Sequence, residues 1–150
     1  MKRGYLLDTN ILSYLVNGDS AAARKTLLRR QQDSETALLI SSISEAELRY
    51  GMARCALSEP RREAIEGLLA HFEVLPWGRP EAQTYGEVRA RLEAAGLTVS
   101  AMDLLIVAQT LSAEAILVTA DQIFPRISKV LPALKMENWT TDLPIAHNLK

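Results

Sequence analysis

The stretch Tyr5-Leu6-Leu7-Asp8-Thr9-Asn10 constrains this chain more than any other. An apolar run ends abruptly in an acid, a hydroxyl and an amide, and an amphipathic pattern starts at once. That grammar predicts a buried strand followed directly by a helix. Ligands of open parallel sheets bind beyond the carboxyl ends of the strands. Asp8 is therefore expected at such an end, with Thr9 or Asn10 capping the helix. Two roles are open to Asp8: anchoring a metal around which other acids of the chain gather, or merely capping the helix. On this stretch alone, capping is the simpler role.

The pattern of strand then helix recurs. Ile11 to Val16 reads as a short helix stopped by Asn17-Gly18, and Asp19-Ser20 caps a second helix through about Gln32. Ala22, Ala23, Leu27 and Leu28 form its apolar face. Ala37 to Ile40 is a buried strand. Ser44, with Glu47 three residues on, matches a capping box at the head of a helix that continues through Cys55 and Ala56 and ends before Pro60. Cys55 is expected to pack in the core. A helix over Arg61–His71, a strand over Phe72–Pro76 and a charged helix over Glu81–Ala95, closed by Gly96, follow. Val88 and Leu92 face inward there, with Tyr85. Ser100 then caps a helix apolar on nearly every side, which marks it as central. Asp103 stands in its first turn. The helix dipole explains part of that, but Asp is seldom buried without a partner, and a metal would supply one. Ala115 to Val118 is another strand, after which Thr119-Ala120-Asp121 repeats the opening grammar. Leu134 to Met136 is a last short strand, and the tail from Thr140 is expected to be loose.

Alternating strands and helices predict an α/β protein with a parallel sheet and helices on both faces. At 150 residues, one domain spanning 1–150 is expected. Hydrophobic residues make up 48% and charged residues 23%, which excludes a disordered chain. The net charge of −1 decides nothing about nucleic acid, because a basic patch can hide in a balanced total. Cys55 is the only cysteine, so no internal disulfide forms, and the chain suits a reducing cytoplasm. No run approaches the ~20 apolar residues of a membrane span.

On this plan Asp8 and Asp121 fall at carboxyl ends of strands, and Glu47 and Asp103 in first turns of nearby helices. All four can converge on one edge of the sheet. Like charges ~4 Å apart repel by ~4 kcal/mol at an effective dielectric near 20. Such a cluster takes up protons or a cation. Hard oxygen ligands without histidine or thiolate select Mg²⁺ or Mn²⁺ over Zn²⁺. A site of that kind suits phosphate chemistry. Arg24, Arg29, Arg30, Arg49 and Arg54 are the candidates for holding substrate phosphates around the acid pocket.

The ordered set of Leu-Asp-Thr-Asn, Glu-Leu-Arg-Tyr-Gly, Asp-Leu-Leu-Ile and Val-Thr-Ala-Asp resembles the PIN-domain ribonucleases. Within them it is most similar to the VapC-like toxins of bacterial toxin–antitoxin pairs. The resemblance covers nearly the whole chain and implies a three-layer α/β/α fold with a central parallel sheet of four to five strands. It implies metal and catalytic roles for Asp8, Glu47, Asp103 and Asp121, with Thr9, Asn10 and Thr119 in support. Glu47 rather than Glu45 is the match, because it directly precedes the Leu of that helix, and the two lie about 200° apart around it. Ala120 departs from the Asn that relatives often carry before the last acid. The implied activity is Mg²⁺- or Mn²⁺-dependent cleavage of RNA in tRNA or rRNA loops, leaving a 5′-phosphate and a 3′-hydroxyl and inhibiting translation. The implied partners are a cognate antitoxin, a second copy in a homodimer, and operator DNA through the antitoxin only. Two other readings compete. One is a catalytically inactive PIN-type binding module. The other is an aspartyl-nucleophile phosphatase, which would carry a second Asp where this chain has Asn10.

Overall fold

A computed structural model describes residues 2–142. Five strands, β1 (Arg3–Leu7), β2 (Thr36–Ser41), β3 (Glu73–Leu75), β4 (Ile116–Val118) and β5 (Lys135–Glu137), form one parallel sheet in the order β3-β2-β1-β4-β5. The helices are α1 (Thr9–Asn17), α2 (Ala21–Gln31), α3 (Ser42–Arg54), α4 (Glu59–Leu69), α5 (Arg79–Ala94), α6 (Ala101–Ser112) and α7 (Ile123–Val130). The expected α/β architecture is therefore the observed one.

Alternation along β1 divides the core. Tyr5 and Leu7 point to one face, where they pack with Ile11, Leu15, Leu27, Met52 and Ile65 of α1 to α4 and with Trp139. Leu6 points to the other, against Val88, Leu92, Val107, Phe124 and Ile127 of α5 to α7. Tyr5, Leu6 and Leu7 are fully buried, and each such leucine contributes roughly 1.5–3 kcal/mol. A strand covered on both faces must read as a continuous apolar run, and this one does.

The sheet order reverses between β1 and β4. Successive strands run outward from β1 through β2 to β3, and the chain then returns to β4 on the other side. The crevice beyond the carboxyl ends of β1 and β4 is the switch point of the fold, where ligands of such sheets bind. Asp8 and Thr119 stand there, and the Asp8 N–H donates to the Val118 carbonyl at 3.0 Å.

Several local expectations change. Asp8 itself caps α1, its Oδ1 accepting the Ile11 N–H at 2.8 Å, so neither Thr9 nor Asn10 takes that role. The helix closes on Gly18 at φ +70°, a left-handed conformation that favours glycine. Ser41, not Ser44, caps α3, so the Ser44–Glu47 capping box does not form and Glu47 falls in the second turn. That helix ends at Arg54, leaving Cys55 exposed rather than in the core. Pro60 opens α4 behind the cap Ser58 instead of merely ending the previous helix. Leu28 is exposed, and the buried face of α2 is Ala23 and Leu27. The tail is tied down as far as it is described. Thr140 is buried and bonded to Asn138, and the Asp142 carboxylate accepts the Ser20 hydroxyl at 2.6 Å and the Ala22 N–H at 3.1 Å. The rest of the expected loose tail, 143–150, lies outside the described residues. Among the described residues, no helix is long and apolar enough to cross a membrane.

Candidate active site

Asp8 is the centre of the site. It is only 5% exposed, and both its oxygens are occupied by donors: Ile11 N–H on Oδ1, and the Thr119 hydroxyl on Oδ2 at 2.5 Å. The Thr119 oxygen in turn accepts the Asp121 N–H at 3.1 Å. A relay of short hydrogen bonds thus joins the end of β1 to the loop after β4. Asp121 is half-buried, and its Oδ1 accepts the Ile123 N–H at 3.0 Å, which ties its carboxylate to the head of α7. The departure at Ala120 does not break this relay, because Thr119 supplies its side-chain hydroxyl.

Asp103 enters from α6. The Ser100 hydroxyl donates to Asp103 Oδ2 at 2.8 Å while the Asp103 N–H donates back to Ser100 Oγ at 3.2 Å. Ser100 thus caps α6 through its side-chain oxygen and at the same time holds the Asp103 carboxylate with its hydroxyl. Asp103 therefore has a protein partner, and the Ser-x-x-Asp spacing that announces it was present in the sequence. From sequence Ser100 reads only as a cap; its hydroxyl also orients Asp103.

Asp8 is coupled electrostatically to two of the other three acids. The Asp8 carboxyl is pushed up to about 6, chiefly by burial, which outweighs the opposing bonds from Thr119 and Ile11. Repulsion from Asp121 and then Asp103 adds to the rise. Glu47 is exposed on α3 and lines a groove that Thr9 also lines, while Glu45 reaches Arg49 at 3.9 Å instead. Thr9 donates its hydroxyl to the buried Ser44 at 3.0 Å, stitching α1 to α3. Ser44 was read only as a helix cap, and no local pattern marks a contact made 35 residues away. Asn10 is exposed.

The donor set fits a hard divalent cation in its chemistry. It is all carboxylate, and Asp8, buried and repelled by two other acids, is relieved by a cation. Among the described residues, no group of three or more acidic, histidine or cysteine side chains is arranged to hold a metal ion.

Of the candidate basic residues, two are engaged elsewhere. Arg49 makes a two-pronged pair with Glu66 at 2.6 and 3.2 Å. Arg30 lies over the Tyr5 ring at 4.6 Å and 3.7 Å from Glu137, beside Arg3 and Thr36 at the amino ends of the strands, away from Asp8. Arg24 lines a separate groove with Leu15 and Leu68, and Arg29 is exposed on the last turn of α2. Arg54 alone of the five shares the groove with Glu47 and Thr9.

The chain is similar to proteins of known family. The PIN domain family matches residues 5–130. Ribonuclease VapC2 of Rickettsia felis is 35% identical over 138 residues, covering 90% of this chain and 97% of that protein. The tRNA(fMet)-specific endonuclease VapC of Shigella flexneri is 28% identical, over 91% of this chain and 98% of that one. The crystal structure of VapBC2 from Rickettsia felis, bound to a DNA fragment from their promoter, contains a chain that superposes with a TM-score of 0.80 at 32% identity. It covers 91% of this chain and 98% of its own. These matches place the chain in the PIN-domain family, among the VapC ribonucleases.

Proposed function

We propose that this protein is an endoribonuclease acting as the toxin of a toxin–antitoxin pair, using Mg²⁺ or Mn²⁺ to cut single-stranded loops of tRNA or rRNA and so inhibit translation. The observation that carries this reading is Asp8, buried at the end of the central strand and electrostatically coupled to Asp103 and Asp121. Asp8, Asp103, Asp121 and Glu47 would hold the divalent ion. When bound, such an ion lowers the pKa of a water and stabilises charge on phosphoryl oxygens.

The protein's own contribution is to hold the acids in place. Thr119 fixes the Asp8 carboxylate, Ser100 fixes Asp103, and the Ile123 N–H fixes Asp121. Water oxygen attacks phosphorus, the bond to the 3′ oxygen breaks, and the products carry a 5′-phosphate and a 3′-hydroxyl. Unpaired RNA is the expected substrate because its backbone and bases are accessible in loops. The names of the relatives support an RNA target, and the Shigella flexneri relative is named for a tRNA. The VapBC2 complex from Rickettsia felis supports an antitoxin as the physiological partner. An acidic pocket accepts an inhibitory Arg or Lys in place of the cation. A homodimer, operator binding through the antitoxin, and a cytoplasmic location complete the proposal.

The test is cleavage of total cellular RNA by purified protein with Mg²⁺ or Mn²⁺, and with EDTA, followed by mapping of 5′ ends. Cleavage by the parent and none by a folded Asp8→Asn variant is the expected result. Equal rates for the two would end the assignment to this site.

A further inference from the structure

Resting on the nuclease reading, we propose that Tyr50, with Arg54 stacked on it, is a shelf on which an unpaired base of the RNA strand stacks beside the cleavage site. Tyr50 is 62% exposed, which is unusual for so large an apolar surface, and the core makes no use of it. The Arg54 guanidinium sits 5.3 Å from the centre of its ring, over one aromatic face. Both line a groove of about 450 Å³ between α1, α3 and the start of α4. Glu47, one of the four candidate acids, lines it too, as does Thr9, the residue after Asp8 in the chain.

The charge of the groove points the same way. Its lining carries two cations, Arg54 and Arg61, against one acid, Glu47. Arg61 is held in place by a 3.1 Å bond to Asn17 Oδ1. An exposed aromatic face flanked by cations is how proteins bind single strands without reading sequence: bases stack and phosphates meet the charges. The centre of the site repels a phosphate backbone. An adjoining surface that attracts bases and phosphates is therefore needed, and this groove offers one. A duplex hides its base faces, so the shelf also selects for unpaired RNA.

The test uses full-length protein and a short fluorescent single-stranded RNA, alone and annealed to its complement. Binding is read by anisotropy, cleavage by KM and kcat with Mn²⁺, and assembly by light scattering. Tyr50→Ala is expected to weaken single-strand binding and raise KM by roughly tenfold, with kcat at saturation and duplex binding little changed. Tyr50→Trp should restore both values. Arg54→Ala should weaken binding to both forms of RNA and flatten its salt dependence. The shelf is overturned if Tyr50→Ala binds the single strand like the parent. It is also overturned if Trp fails to rescue, or if affinity falls only together with a change in assembly, which would make this face a protein interface. A parent that binds through Tyr50 yet cuts nothing would instead sink the nuclease reading and leave the shelf standing.

Discussion

Asp8 and Asp33 lie at opposite ends of the same sheet and are held alike. Each carboxylate accepts one backbone N–H and one threonine hydroxyl, from Ile11 and Thr119 for Asp8 and from Glu35 and Thr36 for Asp33. Their pKa values nonetheless move in opposite directions. Asp33 is drawn below the usual carboxylate range by its Glu35 and Thr36 bonds, helped by Arg30 and Arg3. Asp8 is pushed up to about 6, because burial overrides the same kinds of bond and two acids stand where Asp33 has two arginines. Two good hydrogen bonds do not decide whether a carboxylate is content as an anion; solvent and the sign of its neighbours do. The amino end of the sheet is electrically complete. At the carboxyl end, burial and two like charges hold Asp8 above its ordinary value.

The largest expected effect tests that contrast in function. Asp8→Asn should lower metal-dependent RNA cleavage at least about a hundredfold, the order expected when several kcal/mol of metal-supplied stabilisation is lost. Asp33→Asn should leave cleavage unchanged. Single-turnover rates on one RNA decide, and comparable losses in the two variants would erase the distinction.

The second effect is on stability. The folded pKa of Asp8 lies above its ordinary value of 3.8, so its contribution to stability is full below 3.8 and is lost as pH rises through about 6. Metal-free parent should therefore lose stability relative to Asp8→Asn between pH 4 and 7, by roughly 3 kcal/mol for a shift of about two units. Mn²⁺ should shrink that gap, since an ion bound to the folded state replaces the missing countercharge. Thermal melts across this range test it, and parallel curves for the two proteins would refute it.

This contrast also explains what the sequence revealed. The parallel sheet was legible because β1 and β2 are covered on both faces, so Tyr5 to Leu7 and Leu38 to Ile40 read as unbroken apolar runs. Asp8 and Asp121 were legible because they end such runs, and Asp103 because it opens an apolar helix. Ser44 and Thr119 are different. Each acts through a partner 35 or 111 residues away, and a hydroxyl in a strand-to-helix turn looks the same whether it caps a helix or holds an acid. Resemblance to known ribonucleases supplied Thr119; the capping rule misassigned Ser44. Arg30 and Arg49 misled for a related reason. A basic residue on a helix says nothing of which end of the sheet it serves, and only the fold turns Arg30 toward Tyr5 and Arg49 toward Glu66. Cys55 misled because the helical pattern runs on through Ala56, whereas the helix ends at Arg54.

A smaller effect sharpens the role of Thr119. In Thr119→Val, Asp8 Oδ2 loses its hydroxyl donor and the Asp121 N–H its acceptor, at a cost of roughly 1–3 kcal/mol. The bond from Thr119 is the largest influence holding the Asp8 pKa down. Its loss should move the titration of metal-free Asp8 above 6, as read by carboxyl carbon NMR, and Thr119→Ser should restore it. An unmoved titration in Thr119→Val would show that burial alone sets the value.

The smallest effect should carry the opposite sign. Asp33 is fully exposed, so little stability depends on it, but its lowered pKa fixes the direction. Ionised Asp33 contributes stability above its ordinary value of 3.8, and that contribution is lost as pH falls through the lower folded value. Asp33→Asn should therefore melt slightly below the parent at neutral pH, and the two should converge in acid. Asp8→Asn behaves in reverse, parting from the parent as pH rises. If both variants drifted from the parent in the same direction, the arginines at one end of the sheet and the acids at the other would not be what separates these two carboxylates.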